Sequence, residues 1–142
     1  ANDFPFEIVV SEWNPNITEQ LFKGAYDTLI SHGALSKNIV HWQVPGSFEL
    51  IYGCKIMQDQ EVNVVIAIGS VIQGETKHFD FVCEAVSHGI KDLNVLHETP
   101  VIFCVLTDNN MQQSLDRSGG KHGNKGVEAA IAAIKMAALR EN

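Results

Sequence analysis

Short β-branched, apolar runs alternating with stretches of helical periodicity predict an α/β protein, a four-stranded parallel sheet with helices on both faces. The runs fall at residues 6–10, Ile39–Val44, 62–68 and 101–106. Between the first two, residues 17–32 place Leu21, Phe22, Ala25, Leu29 and Ile30 on one helical face. Thr18 stands near the start of that helix as a cap partner, and His32-Gly33 is a normal stop. Residues 47–57 form a shorter helix after the turn Val44-Pro45-Gly46, with Ser47 and Glu49 at its beginning. Gly69 is expected to turn the chain after the third run, because it carries no Cβ to clash. Phe79, Val82, Cys83, Val86, Ile90 and Leu93 then recur at three and four residues, the face of another helix. The last helices are Met111–Arg117 and residues 125–139, separated by the least regular stretch, residues 118–124. Small residues surround the final helix, among them Ala129, Ala130, Ala132, Ala133, Ala137 and Ala138. They permit close approach on more than one side, through subunit packing or through helix propensity alone.

At 142 residues the chain suits one domain with a single core. A hydrophobic content of 45% and a charged content of 19% exclude a disordered chain and a coiled coil. The formal net charge of −7 argues against a general nucleic-acid binder, so any anion site must be local. Cys54, Cys83 and Cys104 are widely spaced in apolar contexts, which reads as reduced cytoplasmic thiols and implies neither a disulfide framework nor a zinc site. No apolar run approaches the ~18 residues of a membrane span, and no secretory leader is evident. The chain begins at Ala1 without a Met.

Ligands of such folds bind beyond the carboxyl ends of the strands. Residues 11–14, 45–49, 70–78 and 107–109 all follow strands, so their polar groups are expected on one edge. The most informative is the corner at residues 69–81, where Gly74, Thr76 and His78 lie at or near a helix N-terminus. Unpaired backbone N–H groups and the positive end of the macrodipole favour a phosphate there. A helix N-terminus disfavours imidazolium and a bound phosphate favours it, so His78 suits proton transfer near neutrality. The bland alternative for His78 is a surface histidine. His32, His41, His88 and His97 show no metal-ligand spacing and read as structural or exposed. Arg117, Lys121, His122 and Lys125 cluster among glycines in an otherwise acidic chain, either as an anion clamp or as a solvated turn. No Walker A loop occurs, and Ser11-Glu12-Trp13-Asn14 stands where a dinucleotide-binding glycine motif would follow the first strand. Trp13 is a candidate platform for a planar ligand or a packing residue.

Four motifs in order resemble the lumazine synthase family of riboflavin biosynthesis: Val44-Pro45-Gly46-Ser47-Phe48-Glu49, the run from Gly69 to Asp80, the run from Pro100 to Thr107, and the run from Arg117 to Gly126. The resemblance covers nearly the whole chain and implies a three-layer flavodoxin-like fold. It also implies condensation of 5-amino-6-ribitylamino-2,4-pyrimidinedione with 3,4-dihydroxy-2-butanone 4-phosphate, using neither metal nor organic cofactor. In that reading Trp13 stacks on the pyrimidine, with Asn14 following in the same loop. Ser47, Phe48 and Glu49 form the ribityl-binding turn, and backbone groups around Val71, Ile72 and Gln73 read the ring's polar edge. The resemblance implies Glu75, Thr76 and Arg117 as phosphate holders and His78 as the proton carrier. Phe103, Arg117 and Lys125 would reach the site from an adjacent subunit. Family members form homopentamers, some of which build sixty-subunit icosahedral shells. The compact turn at residues 118–124 resembles the shell-forming type. Gln73 stands where the family commonly carries Arg, Glu75 where a small residue is frequent, and Trp13 where Phe is common. Rival readings are a pentameric riboflavin synthase, a non-catalytic flavin or lumazine binder, and a receiver-like signalling domain. The receiver reading lacks an acid at the end of the third strand, where Ile68-Gly69-Ser70 stands.

Overall fold

The computed structural model describes residues 4–74 and 77–141. Its elements are β1 (Phe6–Ser11), α1 (Pro15–Ser31), a 3-10 turn at Ser36–Asn38, β2 (Ile39–Val44), α2 (Leu50–Gln58), β3 (Val64–Ile72), α3 (His78–Leu96), β4 (Val101–Asp108), α4 (Met111–Arg117), β5 (Ser118–Gly120), β6 (Gly123–Asn124) and α5 (Lys125–Glu141). Four strands form a parallel sheet in the order β2-β1-β3-β4. The alternation of side chains along each strand sorts the core into two halves. Ile8, Val10, Ile66 and Ile68 face α1 and α5, where Leu21, Leu29, Ala130 and Ala133 meet them. Val9, Val65, Ala67 and Val105 face α2 and α3, against Leu50, Cys54, Val86 and Ile90. The result is the three-layer, flavodoxin-like arrangement. Each fully buried Leu or Ile on these faces contributes about 1.5–3 kcal/mol relative to exposure.

Register explains where a ligand can sit. β1 pairs with β3 only as far as Val10 opposite Ile68, whereas β4 follows β3 to Asp108 opposite Ile72. The last part of β3 therefore outruns β1 and leaves one backbone edge open beyond the sheet's centre. This corrects the expectation at Gly69, which is no turn but a mid-strand residue paired with Val105. Its missing side chain serves a close approach: a Cβ there would lie 2.7 Å from Ser47 Oγ and 3.0 Å from Leu50 Cδ1. The strand also starts later than expected, because Val62 and Asn63 are held outside it, the Val62 amide on the Gln60 carbonyl and the Asn63 amide on the Pro5 carbonyl.

Other boundaries moved for identifiable reasons. The second helix begins at Leu50, not at Ser47; residues 47–49 make the turn that delivers the chain into it, with the Glu49 amide bonded to the Gly46 carbonyl. α1 begins at Pro15, with Asn14 at its N-cap in the left-handed region (φ 54°), and Thr18 turns inward beneath it. Ile30, expected on the apolar face, is exposed, and Ile17 takes a core position instead. The irregular stretch at residues 118–124 is a short antiparallel hairpin of β5 and β6. Asn124 joins that hairpin to α1 and α5: its Nδ2 donates to the Gln20 carbonyl at 3.0 Å and its Oδ1 accepts from the Gly126 amide at 2.7 Å.

Candidate active site

A cavity of about 480 Å3 opens at the carboxyl ends of β1, β2 and β3. The loop after β1 supplies Trp13 and Asn14, the turn after β2 supplies Gly46 to Glu49, β3 supplies Ser70 to Ile72, and α3 supplies His78 and Val82. Three of the four expected strand-end segments thus meet at this cavity, while Thr107, from the fourth, lines a separate one. Trp13 is 69% exposed and Phe48 57% exposed, which leaves two large apolar surfaces uncovered at one cavity. Gly46 packs beneath Trp13 and Glu49, since a Cβ on it would lie 3.0 Å from both Trp13 Cδ1 and Glu49 Oε1. An aromatic plane and a carboxylate therefore share one mouth, and any side chain at position 46 would intrude between them.

The floor is built from hydroxyls. Asn14 Nδ2 reaches across to the Ser70 carbonyl at 3.3 Å and to Ser70 Oγ at 3.4 Å, tying the Trp13 loop to β3. Asn tolerates the left-handed backbone this bridge needs better than most residues. Ser47 is buried and lines the cavity, yet its Oγ has no hydrogen-bond partner among the described residues. Ser11 Oγ is likewise buried without one. Buried hydroxyls are normally satisfied, so a polar group in the cavity is the natural partner for Ser47. Along β3 the edge that presents the Ser70 carbonyl to Asn14 also presents the backbone of Ile72, by the alternation of strand groups.

Of the residues expected to read a ring edge, Val71 and Ile72 line this cavity. Gln73 follows them on the chain without lining the cavity; its side chain is exposed and its amide is bonded to the Asp108 carbonyl at 2.9 Å. Glu75 and Thr76, expected to hold phosphate, lie outside the described residues. His78 is exposed, opens α3 and lines the cavity.

Phe103, Arg117 and Lys125 line a different cavity of about 510 Å3 along β4 and the start of α5. β4 is an edge strand of the sheet, and Phe103 projects from it 42% exposed. Arg117 ends α4 and pairs with Asp108 at 2.6 Å, while Lys125 lies 3.3 Å from Glu128. Lys121 and His122, the other members of the expected cationic cluster, are exposed on the hairpin turn and do not line this cavity. Asp108 was expected only as one of the strand-end polar groups at 107–109, and neither it nor Ser114 was connected with Arg117 by the sequence reading. Asp108 follows the Leu106-Thr107 end of a strand and Ser114 lies three residues before Arg117, spacings that signal nothing until helix and strand are brought together.

Burial pushes the Cys54 thiol up to about 12, and it does the same for Cys104, where Glu128 adds to the shift and Lys125 opposes it. Cys83 is raised as well, by burial first and Asp80 second. None of the three is a thiolate nucleophile at neutral pH. Among the described residues no cluster of His, Cys, Asp or Glu is placed to hold a metal ion, and no helix is long and apolar enough to cross a membrane.

A parallel α/β fold with an aromatic, a carboxylate, an imidazole and an unpaired buried hydroxyl around one strand-end cavity defines a small-molecule enzyme of the three-layer class. The family model for 6,7-dimethyl-8-ribityllumazine synthase matches residues 3–141. A protein of that name from Christiangramia forsetii is 67% identical over the full chain, which spans 86% of the relative's length. One from Flavobacterium johnsoniae is 68% identical over 99% of the chain and 75% of its own length, and one from Porphyromonas gingivalis is 54% identical over 98% and 87%. The chain belongs to the 6,7-dimethyl-8-ribityllumazine synthase family.

Proposed function

We propose that this protein condenses 5-amino-6-ribitylamino-2,4-pyrimidinedione with 3,4-dihydroxy-2-butanone 4-phosphate, releasing phosphate and water, in the penultimate step of riboflavin biosynthesis. The observation that carries the assignment is the composition of the strand-end cavity. A planar ring bearing a polyhydroxy chain needs an aromatic face beside hydroxyl-binding groups. Trp13 offers the face; Ser47 and Glu49 offer the polar groups, with Phe48 enclosing the chain. Asn14 fixes the Trp13 loop, and Val71 and Ile72 border the ring's polar edge. The butanone phosphate is assigned to the corner preceding α3, with Glu75 through its backbone, Thr76 through its hydroxyl and Arg117 through its guanidinium.

In this reading the ring amine attacks the ketone to give a carbinolamine, which loses water to form an imine. Phosphate then leaves, and the ribitylamino nitrogen adds to the remaining carbonyl carbon, whose oxygen departs as a second water as the new ring closes. His78 moves the protons of dehydration and elimination. Much of the acceleration comes from holding two substrates in reacting geometry, so loss of His78 slows turnover without abolishing it.

The active site is assigned to the junction of adjacent subunits in a cytoplasmic homopentamer, which further assembles into a sixty-subunit shell. Supporting this, Phe103, Arg117 and Lys125 line a cavity separate from that of Trp13, Ser47 and His78. A neighbouring copy would bring the two halves together. Lumazine fluorescence from purified protein with both substrates, measured against the spontaneous reaction, tests the assignment. A protein-dependent rate that falls in Arg117→Ala and His78→Ala is expected. No rate above background in assembled protein would refute it, and light scattering showing monomers alone would remove the shared site.

A further inference from the structure

Asp108 closes β4 with its side chain only 1% exposed. A carboxylate that deep is costly unless every oxygen finds a donor. Both do: Oδ1 accepts from Arg117 Nη1 at 2.6 Å and Oδ2 accepts from Ser114 Oγ at 2.8 Å. Ser114 and Arg117 are one helical turn apart, so a single buried carboxylate grips one face of α4 at two points. The main chain of Asp108 is fixed as well, through its pairing opposite Ile72 and through its carbonyl, which accepts from the Gln73 amide.

The pair is unequal in burial. Arg117 keeps 45% of its side chain exposed while its partner is sealed. A guanidinium carries five N–H donors, and among the described residues this one makes a hydrogen bond only to Asp108. Its side chain lines a groove shared with Phe103 and Lys125. Lys125 contrasts with it: its partner Glu128 is 61% exposed, an ordinary surface pair that fixes little. Resting on the function proposed above, we propose that Asp108 is a positioning residue that orients the Arg117 guanidinium for the substrate phosphate before any ligand arrives. Fixing a long cation in advance removes part of the ordering cost of binding, and the hydrogen bond to Oδ1 leaves the other edge of the fork available for bidentate phosphate contact.

The test is steady-state kinetics of Asp108→Ala, Asp108→Asn, Arg117→Ala and the double variant Asp108→Ala/Arg117→Ala, varying each substrate in turn. Asp108→Ala should raise KM for the butanone phosphate about ten-fold, the scale of one charge-assisted contact, with kcat and the pyrimidinedione KM little changed. Asp108→Asn keeps an oxygen for Arg117 and should restore most of the lost affinity. The double variant should be no worse than Arg117→Ala, because the carboxylate acts only through the guanidinium. An unchanged or lowered KM in Asp108→Ala overturns the proposal, as does a further loss in the double variant or equal impairment of the Ala and Asn variants. Binding of inorganic phosphate, followed by isothermal titration on the same four proteins, should give the same order without requiring turnover. A wild type that binds phosphate through Arg117 but forms no lumazine would remove the proposed function and leave the positioning role standing. If Arg117→Ala binds phosphate like the wild type, the positioning role falls.

Discussion

Two defective variants of this protein should repair each other when mixed. Gly46→Val adds branches where even a Cβ would stand 3.0 Å from Trp13 Cδ1 and from Glu49 Oε1, so it should close the strand-end cavity. Arg117→Ala leaves that cavity untouched and empties the groove on β4 of its main cation. If each site takes its cavity from one chain and its groove from the next, random mixing in equal amounts makes about a quarter of the sites intact. The two variants would be purified separately, unfolded, mixed, refolded together and assayed by lumazine fluorescence at low butanone phosphate. Each parent refolded alone supplies the baseline, and light scattering checks that assembly has returned. Recovery near a quarter of wild-type activity is the expected result. Activity equal to the mean of the two parents would show that each chain carries its own complete site, and the division between two cavities would then have no catalytic meaning.

Gly69→Ala should destabilise the chain by about 1–3 kcal/mol in urea unfolding, because its Cβ would collide with Ser47 Oγ and Leu50 Cδ1 in a packed region. Glu7 accepts from Trp42 Nε1 at 2.8 Å, yet burial pushes its carboxyl above the ordinary 4.5, outweighing that bond. The folded state therefore holds this proton more tightly than the unfolded one, and stability falls as pH rises from about 4.5 through the folded value. Glu7→Gln should raise the melting temperature at pH 7, and the gain should vanish below pH 4.5; a gain that persists in acid would refute the argument. Cys54 and Cys104 should resist thiol reagents at pH 8 in the native protein and react only on unfolding, since burial holds both near 12; mass spectrometry of labelled peptides reads this directly.

The strands were legible where β-branched residues ran without interruption. Ile39–Val44 matches β2 in full, and β1 differs from its expected range by Ser11 alone. β3 was misjudged at its end because Gly69 was read by its backbone freedom, although its role is the absence of a side chain against Ser47, and at its start because Val62 and Asn63 bond to the Gln60 and Pro5 carbonyls instead of joining the strand. A sequence does not say which property of glycine is in use. Ser47 and Glu49 resemble helix-opening residues locally, but the chain enters α2 only at Leu50, which leaves them free to line the cavity. The link from Asp108 to Ser114 and Arg117 was invisible because it depends on α4 folding back over the end of β4. Trp13, Phe48 and His78 were legible because each follows a strand, and strand ends converge in a parallel sheet. The separation of Phe103, Arg117 and Lys125 from them came from the family resemblance, not from any pattern of spacing.

The overrun of β3 past β1 divides the cavity into parts of different adaptability. Its floor is sheet, and sheet moves in whole residues: a slip of one position shifts the backbone by about 3.3 Å and sends every side chain to the opposite face. No small drift of the floor is open to this protein, because such a slip would also exchange Ile66 and Ile68 with Val65 and Ala67 across the two halves of the core, where neither set fits the other's neighbours. Gradual change is confined to the walls, the Trp13 loop and the turn at residues 46–49, where one substitution alters one surface. A related chain that evolved toward a different ring or a shorter polyol would therefore be expected to differ on these two walls while keeping the Ser70 to Ile72 floor in the same place.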